Sequence, residues 1–255
     1  MYPELLHIGS LTLCSYGVFV ALGLLACFVA GLVLFKKEGL ALEEGLRSGL
    51  FILLGGLVGA RMVYVAVNWE RFSRGLEPLW KIVDGGMVFW GGVVGCILAL
   101  FAYSGLRSGY SWRLGDLWAP PAALGITIGR IGCLLAGCSY GLPTDGPLAV
   151  TFHHPAAVAP LNTALHPTQI YYLVTDLLVL IVVLWLRKRR KFEGQILLWY
   201  LILECNASLF VERFRGDYRG HVFGSEMSPG QFLATIILVG AAITLLVRSR
   251  KKTVS

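Results

Sequence analysis

Long apolar blocks dominate this sequence of 255 residues. A helix that crosses a bilayer needs about 17–25 mainly apolar residues, because the hydrocarbon core is about 30 Å thick. Blocks of that length predict about seven transmembrane helices, at residues 16–35, 46–67, 86–104, 117–138, 167–186, 195–212 and 229–247. Only 15% of the residues are charged, whereas a soluble domain carries about 25%. We therefore predict an all-α membrane protein in which residues 1–255 form a single polytopic domain.

The lysine and arginine residues predict how these helices are oriented. Loops on the cytoplasmic side carry an excess of both residues. The run RKRRK at 187–191 places the connection between the fifth and sixth helices in the cytoplasm, whereas the connection at 139–166 contains neither residue. We therefore predict an N-terminus outside and a cytoplasmic C-terminus. The outer connections, at 68–85, 139–166 and 213–228, are the longer ones.

The basic residues lie in short connections between apolar blocks, so the net charge of +7 follows from the orientation rule. They form no continuous basic face, and we predict the bilayer rather than a nucleic acid as the partner. Most of the six cysteines lie in apolar blocks, where a free thiol behaves as a small apolar group, so a disulfide framework is not predicted.

Arg130 is the strongest candidate for a functional residue, in the sequence GRIGCLLAGCSYG at 129–141. It lies inside the fourth block, which we expect Pro120 and Pro121 to interrupt. An intramembrane arginine is costly and indicates function, unless it snorkels to the end of its helix. A guanidinium binds a phosphodiester through paired hydrogen bonds, and lipid headgroups supply phosphate at that depth. We predict a catalytic role for Arg130 on a phospholipid.

A second charged group, VERFRGD at 211–217, follows the sixth predicted helix. Glu212 and Arg215 would share a helix face because they are three residues apart; an interfacial charge cluster is the alternative. Glu204 lies on the same stripe, and a carboxylate that deep needs a cation, for which Arg130 and Arg61 are available. We assign Glu212 to catalysis and Arg61, Glu204 and Arg215 to substrate binding.

The motif HPTQIYY at 166–172 begins the fifth predicted helix. His166 is a candidate catalytic base, although a residue before Pro167 also suits the start of a helix. We assign Gln169, in the first turn, to substrate binding. The pair His153 and His154 is too weak a signal to indicate a metal, and no metal or other cofactor is predicted.

Cys133 and Cys138 flank the sequence LLAG. Five residues on a regular helix separate two side chains by about 140°, so the thiols would not pair. If Gly137 ends the helix, Cys138 can turn back towards Cys133 or into the site. A thiol near Arg130 would be driven towards the nucleophilic thiolate; two small packing residues are the other interpretation. We assign Cys138 to catalysis and Cys133 and Gly137 to substrate binding.

Several short motifs, taken in order, resemble the prolipoprotein diacylglyceryl transferase family. They are Tyr16–Gly17, GARMVYV around Arg61, GGMVFWGG at 85–92, DLWAP at 116–120, GRIGCLLAGCSYG at 129–141, HPTQIYY at 166–172, VERFR at 211–215 and SPGQ at 228–231. The resemblance implies seven helices with the N-terminus outside, in the bacterial cytoplasmic membrane. It also implies transfer of diacylglycerol from phosphatidylglycerol to the lipobox cysteine of a prolipoprotein, with release of glycerol phosphate.

The chain departs from the family pattern at several polar positions. Trp90 stands where the family motif has a histidine, and Cys133, Ala136 and Cys138 replace two asparagines and a glutamate of the GRIGNFINGE-type signature. A family arginine aligns with Ser208, and a family tyrosine aligns with Glu204. On the resemblance we assign Tyr16 and Trp90 to substrate binding.

Three functions remain open from the sequence. The first is a membrane transferase that acts on a phosphatidylglycerol-like lipid, with a prolipoprotein or an altered acceptor. The second uses the same fold with a Cys133/Cys138 thiol site for acyl transfer or redox chemistry. The third is a lipid-binding membrane protein without catalysis. A transporter is disfavoured because the two halves show no inverted repeat.

Overall fold

A computed structural model of the chain describes residues 2–8, 11–75, 87–106, 111–217, 219–220 and 227–251. The first two residues of the 85–92 motif, and the start of the third predicted helix, lie outside this part of the chain. The elements are, in order, β1 (Glu4–Ile8), β2 (Leu11–Cys14), α1 (Ser15–Lys37), α2 (Leu42–Val67), α3 (Trp69–Ser73), α4 (Phe89–Leu106), α5 (Ser111–Ala136), β3 (Val150–Thr151), β4 (Ala164–Leu165), α6 (Thr168–Arg187), α7 (Gln195–Val211), a 3₁₀ turn (Glu212–Phe214) and α8 (Pro229–Lys251).

A long helix lies at each of the seven predicted blocks, and two small antiparallel hairpins, β1–β2 and β3–β4, accompany them. Within the described residues, six of these helices are long and apolar enough to cross a membrane. The exception is α4, whose apolar stretch Phe89–Gly105 is shorter. The predicted all-α membrane protein therefore agrees with the helices, while a seventh crossing is not established by helix length.

The fourth predicted helix was placed too late and was wrongly expected to be interrupted. Helix α5 begins at Ser111 and runs through Pro120 and Pro121 to Ala136. Both prolines are buried among neighbouring helices. A membrane helix tolerates proline when its neighbours and local adjustments satisfy the carbonyl groups that proline leaves without a donor.

Small residues allow two pairs of helices to pack closely. A Cβ atom on Gly23 in α1 would lie 2.4 Å from the carbonyl oxygen of Gly125 in α5. A Cβ atom on Gly95 in α4 would lie 2.1 Å from the carbonyl oxygen of Gly55 in α2. Both distances are too short for a larger residue, so these helices meet backbone to backbone, as membrane helices with small residues at the interface do.

Asp116 in α5 binds the first turn of α7. Its Oδ2 accepts a hydrogen bond from the N–H of Gly194, and its Oδ1 accepts hydrogen bonds from the N–H groups of Ile196 and Leu197, at 2.8–2.9 Å. The first N–H groups of a helix have no partner within the helix. Asp116, which is 1% exposed, therefore caps α7 from a different helix and fixes α7 beside α5.

The connection between α5 and α6 folds against the segment that follows α7. Leu142 donates its N–H to the carbonyl oxygen of Phe214 at 2.8 Å, and Gly216 donates to that of Tyr140 at 2.9 Å. A small apolar core of Phe152, Ala159 and Leu165 holds the connection together. The ends of α5 and α7 and the start of α6 are thereby brought together.

Candidate active site

The guanidinium of Arg130 is held between α5 and α6. Its Nε donates a hydrogen bond of 2.8 Å to Oδ2 of Asp176 in α6, and its Cζ lies 4.0 Å from the ring centroid of Tyr172, one turn earlier. The Arg130 side chain is 13% exposed, whereas that of Asp176 is 1% exposed. Nε alone forms the hydrogen bond to Asp176, and within the described part of the chain the two terminal nitrogens have no hydrogen-bond partner.

Tyr172 joins Arg130 to a second arginine. Its ring centroid lies 5.7 Å from Cζ of Arg215. Its hydroxyl group donates to Oε1 of Glu212 and accepts from Nη1 of Arg215, each at 3.3 Å. Tyr172 is 1% exposed, so both guanidinium groups approach an aromatic ring away from water, where cation–π attraction is strongest.

Arg215 forms a paired ion contact with Asp217. Nε of Arg215 donates to Oδ1 at 2.6 Å and Nη2 donates to Oδ2 at 2.9 Å, while Nη2 also donates to the hydroxyl oxygen of Ser139 at 2.9 Å. Burial raises the pKa of Asp217, but the hydrogen bonds from Arg215 and the charges of Arg215 and Arg219 outweigh it, so its pKa is lowered overall. Asp217 is therefore a carboxylate.

Glu212 collects several donors at the end of α7. Its Oε1 accepts hydrogen bonds from Tyr172, from Arg215 at 3.4 Å and from Arg219, and its Oε2 accepts one from the hydroxyl group of Ser228 at 3.3 Å. The prediction that Glu212 and Arg215 share a helix face is wrong, although the two residues form an ion pair. Arg215 follows the 3₁₀ turn with an extended backbone, φ −85° and ψ 136°.

Glu204 lies deeper in α7, within electrostatic range of Arg130 and Asp176. It is 2% exposed, and its Oε2 has no hydrogen-bond partner among the described residues. The prediction that Arg130 or Arg61 compensates the charge of Glu204 stays a prediction. The hydrogen bond of Arg130 goes to Asp176, which was not among the predicted site residues.

The two thiols lie where α5 ends. Gly137 has a φ of +78° and ends the helix, so Cys138 turns back: its N–H and its Sγ both approach the carbonyl oxygen of Cys133, at 3.2 and 3.7 Å. This confirms the conditional prediction for Gly137. Nε2 of Gln169 donates to the carbonyl oxygen of Cys138 at 2.9 Å, which ties the turn to α6.

Tyr16 is brought to the same place from α1. It lies within electrostatic range of Arg130 and of both thiols. Gly132 permits this approach, since a Cβ atom there would lie 3.1 Å from Cα of Tyr16. Tyr16 is 48% exposed, so it forms an accessible side of the Arg130 group, which consists of Arg130, Asp176 and Glu204.

Trp90 lies on the α4 and α8 side of the charged network. This network consists of Tyr172, Glu212, Arg215, Asp217 and Arg219. Trp90 is 3% exposed. A Cβ atom on Gly230 would lie 3.4 Å from Cδ1 of Trp90 and 3.4 Å from Nη1 of Arg219, so the indole and this guanidinium are neighbours across Gly230.

Two predicted site residues have their described contacts elsewhere. His166 is stacked near Phe214, with ring centroids 5.4 Å apart, and its Nδ1 lies 3.3 Å from the hydroxyl oxygen of Tyr171. Arg61 lies over the rings of Tyr64 and Phe72, with Cζ at 5.2 and 5.5 Å from their centroids. These contacts include no member of the Arg130 group.

Four charged or aromatic members of the network were not among the predicted site residues: Tyr172, Asp176, Asp217 and Arg219. Asp176 is a lone carboxylate within the fifth apolar block, and such a residue needs a partner. That signal was present and would have suggested Arg130. Tyr172 and Arg219 carry no comparable local signal, because their importance comes from contacts made by folding.

This arrangement suits chemistry at a phosphate group. Three guanidinium groups are linked through Tyr172 and Glu212: Arg130 and Arg215 lie beside the Tyr172 ring, and Arg215 and Arg219 bond to Glu212. Fixed cations in such surroundings stabilise negative charge that develops on a leaving group, and they need no rearrangement during the reaction.

Comparison with known proteins identifies the family. A sequence model of the prolipoprotein diacylglyceryl transferase family matches residues 3–247. A phosphatidylglycerol–prolipoprotein diacylglyceryl transferase of Clostridium tetani is 32% identical over 253 residues, which cover 99% of this chain and 100% of the relative. One from Acaryochloris marina is 30% identical, over 96% of this chain and 88% of the relative. A second enzyme of this name from Clostridium perfringens is 29% identical, over 93% and 91%.

The family match spans nearly the whole chain, and the helices that could cross a membrane lie within or end close to it. The chain is therefore a multi-pass membrane transferase and belongs to the prolipoprotein diacylglyceryl transferase family.

Proposed function

We propose that this chain transfers the diacylglyceryl group of a phosphatidylglycerol-like glycerophospholipid to the cysteine thiol of a prolipoprotein and releases glycerol phosphate. The substrates are those in the names of its relatives. The observation that carries the proposal is Arg130, a guanidinium inside an apolar helix that is oriented by Asp176 through Nε alone. Its two terminal nitrogens match the two non-bridging oxygens of a phosphodiester.

In the proposed reaction the thiol sulfur attacks the glycerol carbon that carries the phosphate. A carbon–sulfur bond forms, and the bond between this carbon and the phosphate oxygen breaks. The electron pair leaves with the phosphate, and Arg130 stabilises the charge that develops there. Arg215 supports the role of Arg130 by holding the Tyr172 hydroxyl group in place. Tyr16, Cys133 and Gly137 border the space around Arg130.

The thiol proton needs an acceptor, and we assign this role to Glu212. Glu212 is joined to the Arg130 group through Tyr172, whereas His166 packs against Phe214 and Tyr171. His166 is retained as the second candidate. A His166→Gln variant with wild-type dependence of rate on pH would leave Glu212 as the acceptor.

We also propose that α4 is a seventh crossing and that the chain is a single domain in the bacterial cytoplasmic membrane. The basic run at 187–191, between α6 and α7, supports a cytoplasmic position for that connection and for the C-terminus. The N-terminus and the Arg130 group then lie towards the outer face. Labelling of a cysteine introduced at position 145 or position 189, in a variant whose six native cysteines are replaced by serine, from either side of the membrane, tests this orientation.

The test of activity uses purified protein, phosphatidylglycerol and a peptide with a lipobox cysteine. We expect a lipid-modified peptide and an equal amount of glycerol phosphate. Arg130→Ala is expected to abolish both products, whereas Arg47→Ala, which removes a half-exposed arginine of α2, serves as the matched control. No product with any glycerophospholipid would refute the proposal.

The family assignment favours this function over the two alternatives. A thiol site at Cys133 and Cys138 remains chemically possible, since Cys138 turns back towards Cys133. Cys138→Ser separates the two: full transfer activity in this variant excludes a thiol intermediate, and loss of activity with normal stability supports one.

A further inference from the structure

The end of α5 turns back on itself between two cysteines. Gly137 leaves the helix with a φ of +78°, and the N–H of Cys138 donates to the carbonyl oxygen of Cys133 at 3.2 Å. This is the six-residue hydrogen bond of a Schellman turn, whose first and last side chains often come into contact. The two thiols lie within hydrogen-bonding range of each other. A spacing that would keep them apart on a continuing helix therefore brings them together.

Two thiols in this arrangement can be oxidised to a disulfide. A disulfide needs Cβ atoms about 3.5–4.5 Å apart and Cα atoms within about 7 Å. The hydrogen bond between Cys138 and Cys133 already joins the two backbones directly, and both residues are free thiols. The two cysteines can therefore be bridged by a small movement of the turn.

The surroundings of the two thiols favour reaction with an oxidant. Cys138 is partly exposed, whereas Cys133 is 8% exposed, so Cys138 is the sulfur that an external molecule reaches more easily. Arg130 and Arg215 lie within electrostatic range of Cys133, and Arg215 also lies within range of Cys138. Cations beside a thiol favour the thiolate, which is the form that attacks a disulfide. An accessible thiol beside a resolving cysteine is typical of a redox-sensitive site.

The turn that holds the thiols also holds Arg215. Ser139, the residue after Cys138, has a φ of +54°, which is uncommon for a residue with a side chain. Its hydroxyl oxygen accepts a hydrogen bond from Nη2 of Arg215 at 2.9 Å, and its carbonyl oxygen accepts one from Thr168 in α6 at 2.6 Å. A disulfide draws Cys138 towards Cys133, so Ser139 has to move and Arg215 loses a fixed partner.

We propose that Cys133 and Cys138 form an oxidation site, at which a reversible internal disulfide slows lipid transfer. The oxidant is a disulfide compound. The thiolate of Cys138 attacks one sulfur of this compound, which forms a mixed disulfide and releases the first thiol of the oxidant. The sulfur of Cys133 then attacks Cys138, which closes the internal disulfide and releases the second thiol.

This exchange is balanced, because two electrons pass from the cysteine pair to the oxidant and the two cysteine protons end on the two thiols released. A dithiol reductant reverses it. The effect on transfer rests on the proposed function, whereas formation of the disulfide does not.

The experiment uses the full-length protein in detergent, with glutathione disulfide as the oxidant and dithiothreitol as the reductant. Remaining thiols are alkylated, and the protein is cleaved with trypsin. Mass spectrometry then examines the segment between Arg130 and Arg187, in which Cys133 and Cys138 are the only cysteines. Transfer from phosphatidylglycerol to a lipobox peptide is measured on the same samples. Modification of Cys14, which is exposed, shows that the oxidant is active.

The variants are Cys133→Ser and Cys138→Ser, with Cys14→Ser as the matched control. We expect the oxidised wild type and Cys14→Ser to carry the disulfide, and dithiothreitol to remove it. Cys133→Ser should instead retain one glutathione on Cys138, because no second thiol resolves the mixed disulfide. Transfer by the oxidised wild type should fall about tenfold, as for the loss of one hydrogen bond to a charged group, and should return on reduction.

Two results would overturn the inference. One is a wild type in which glutathione modifies Cys14 while Cys133 and Cys138 stay reduced. The other is a wild type that carries the disulfide and transfers lipid as fast as the reduced protein. A reversible disulfide in a protein that transfers no lipid in either state would support the oxidation site and count against the proposed function.

Discussion

Replacing Arg130 with lysine separates the charge of this residue from its shape. Nε of Arg130 bonds to Asp176 at 2.8 Å while its Cζ lies 4.0 Å from the centroid of the Tyr172 ring, and the proposed reaction assigns its two terminal nitrogens to the lipid phosphate. Lysine has one nitrogen at the end of a flexible chain. It cannot bond to Asp176, lie over Tyr172 and present two nitrogens to phosphate at the same time.

The expected loss follows from these contacts. A hydrogen bond to a charged group contributes about 1.5–3 kcal/mol, and a desolvated cation–π contact contributes about 0.5–2 kcal/mol. The two are coupled through one side chain and are not simply additive, so we take a loss of about 3 kcal/mol in transition-state binding. This corresponds to a decrease of roughly a hundredfold in kcat/KM.

The assay measures initial rates of peptide modification over a range of donor concentrations, for Arg130→Lys, Arg130→Ala and the control Arg47→Lys. Thermal unfolding in the same detergent shows whether each variant is folded. We expect Arg130→Lys to lose activity as calculated, Arg130→Ala to lose more, and the control to lose none. Wild-type kcat/KM in Arg130→Lys would refute the reasoning, because charge alone would then be sufficient.

Three further outcomes are expected. Tyr172→Phe keeps the ring beside Arg130 but removes the contacts of the hydroxyl group with Glu212 and Arg215. The rate of transfer should fall about tenfold, for a loss of about 1.4 kcal/mol. Unchanged rates would contradict a role for the hydroxyl group. Asp116→Ala leaves the first N–H groups of α7 without their cap and should lower the free energy of unfolding by at least about 2 kcal/mol. Thermal unfolding measures this loss, and Asp145→Ala, at an exposed position, is the control. The pKa of Asp217 is lowered in the folded protein from 3.8, so its contribution to stability is full above that pH and disappears as the pH falls through the lower folded value. Asp217→Asn should remove this part of the acid dependence of Tm, and an identical pH profile would contradict the ion pair with Arg215.

The positions of the helices were largely predictable, because apolar length and the bilayer thickness determine them together. The errors came from local signals that the surroundings override. Pro120 and Pro121 indicated a break, yet α5 continues through both because neighbouring helices enclose them. Within the described residues, the apolar stretch of α4, Phe89–Gly105, is shorter than the stretches of the six helices that could cross a membrane, and apolar composition alone does not show where such a stretch begins.

The candidate site was predictable in part. Arg130 was identified because a charge inside an apolar block needs an explanation, and the pairing of Glu212 with Arg215 followed from their closeness in the sequence. Asp176 was overlooked although the same argument applies to it. Tyr172 could not have been found, because its neighbour Tyr171 has the same residue type and only the rotation of α6 places one of them against the two arginines.

The sequence by itself determined that this chain forms a set of apolar helices with a few buried charges, since the cost of leaving apolar or charged groups in the wrong solvent depends on residue type. Which charges meet was decided only by the tertiary structure. Arg130 and Arg61 were the two cations predicted to be available to Glu204, and the hydrogen bond of Arg130 goes instead to Asp176. Pairing depends on how each helix is rotated and how deeply it lies against its neighbours, and close contacts such as those at Gly23 and Gly95 set these quantities.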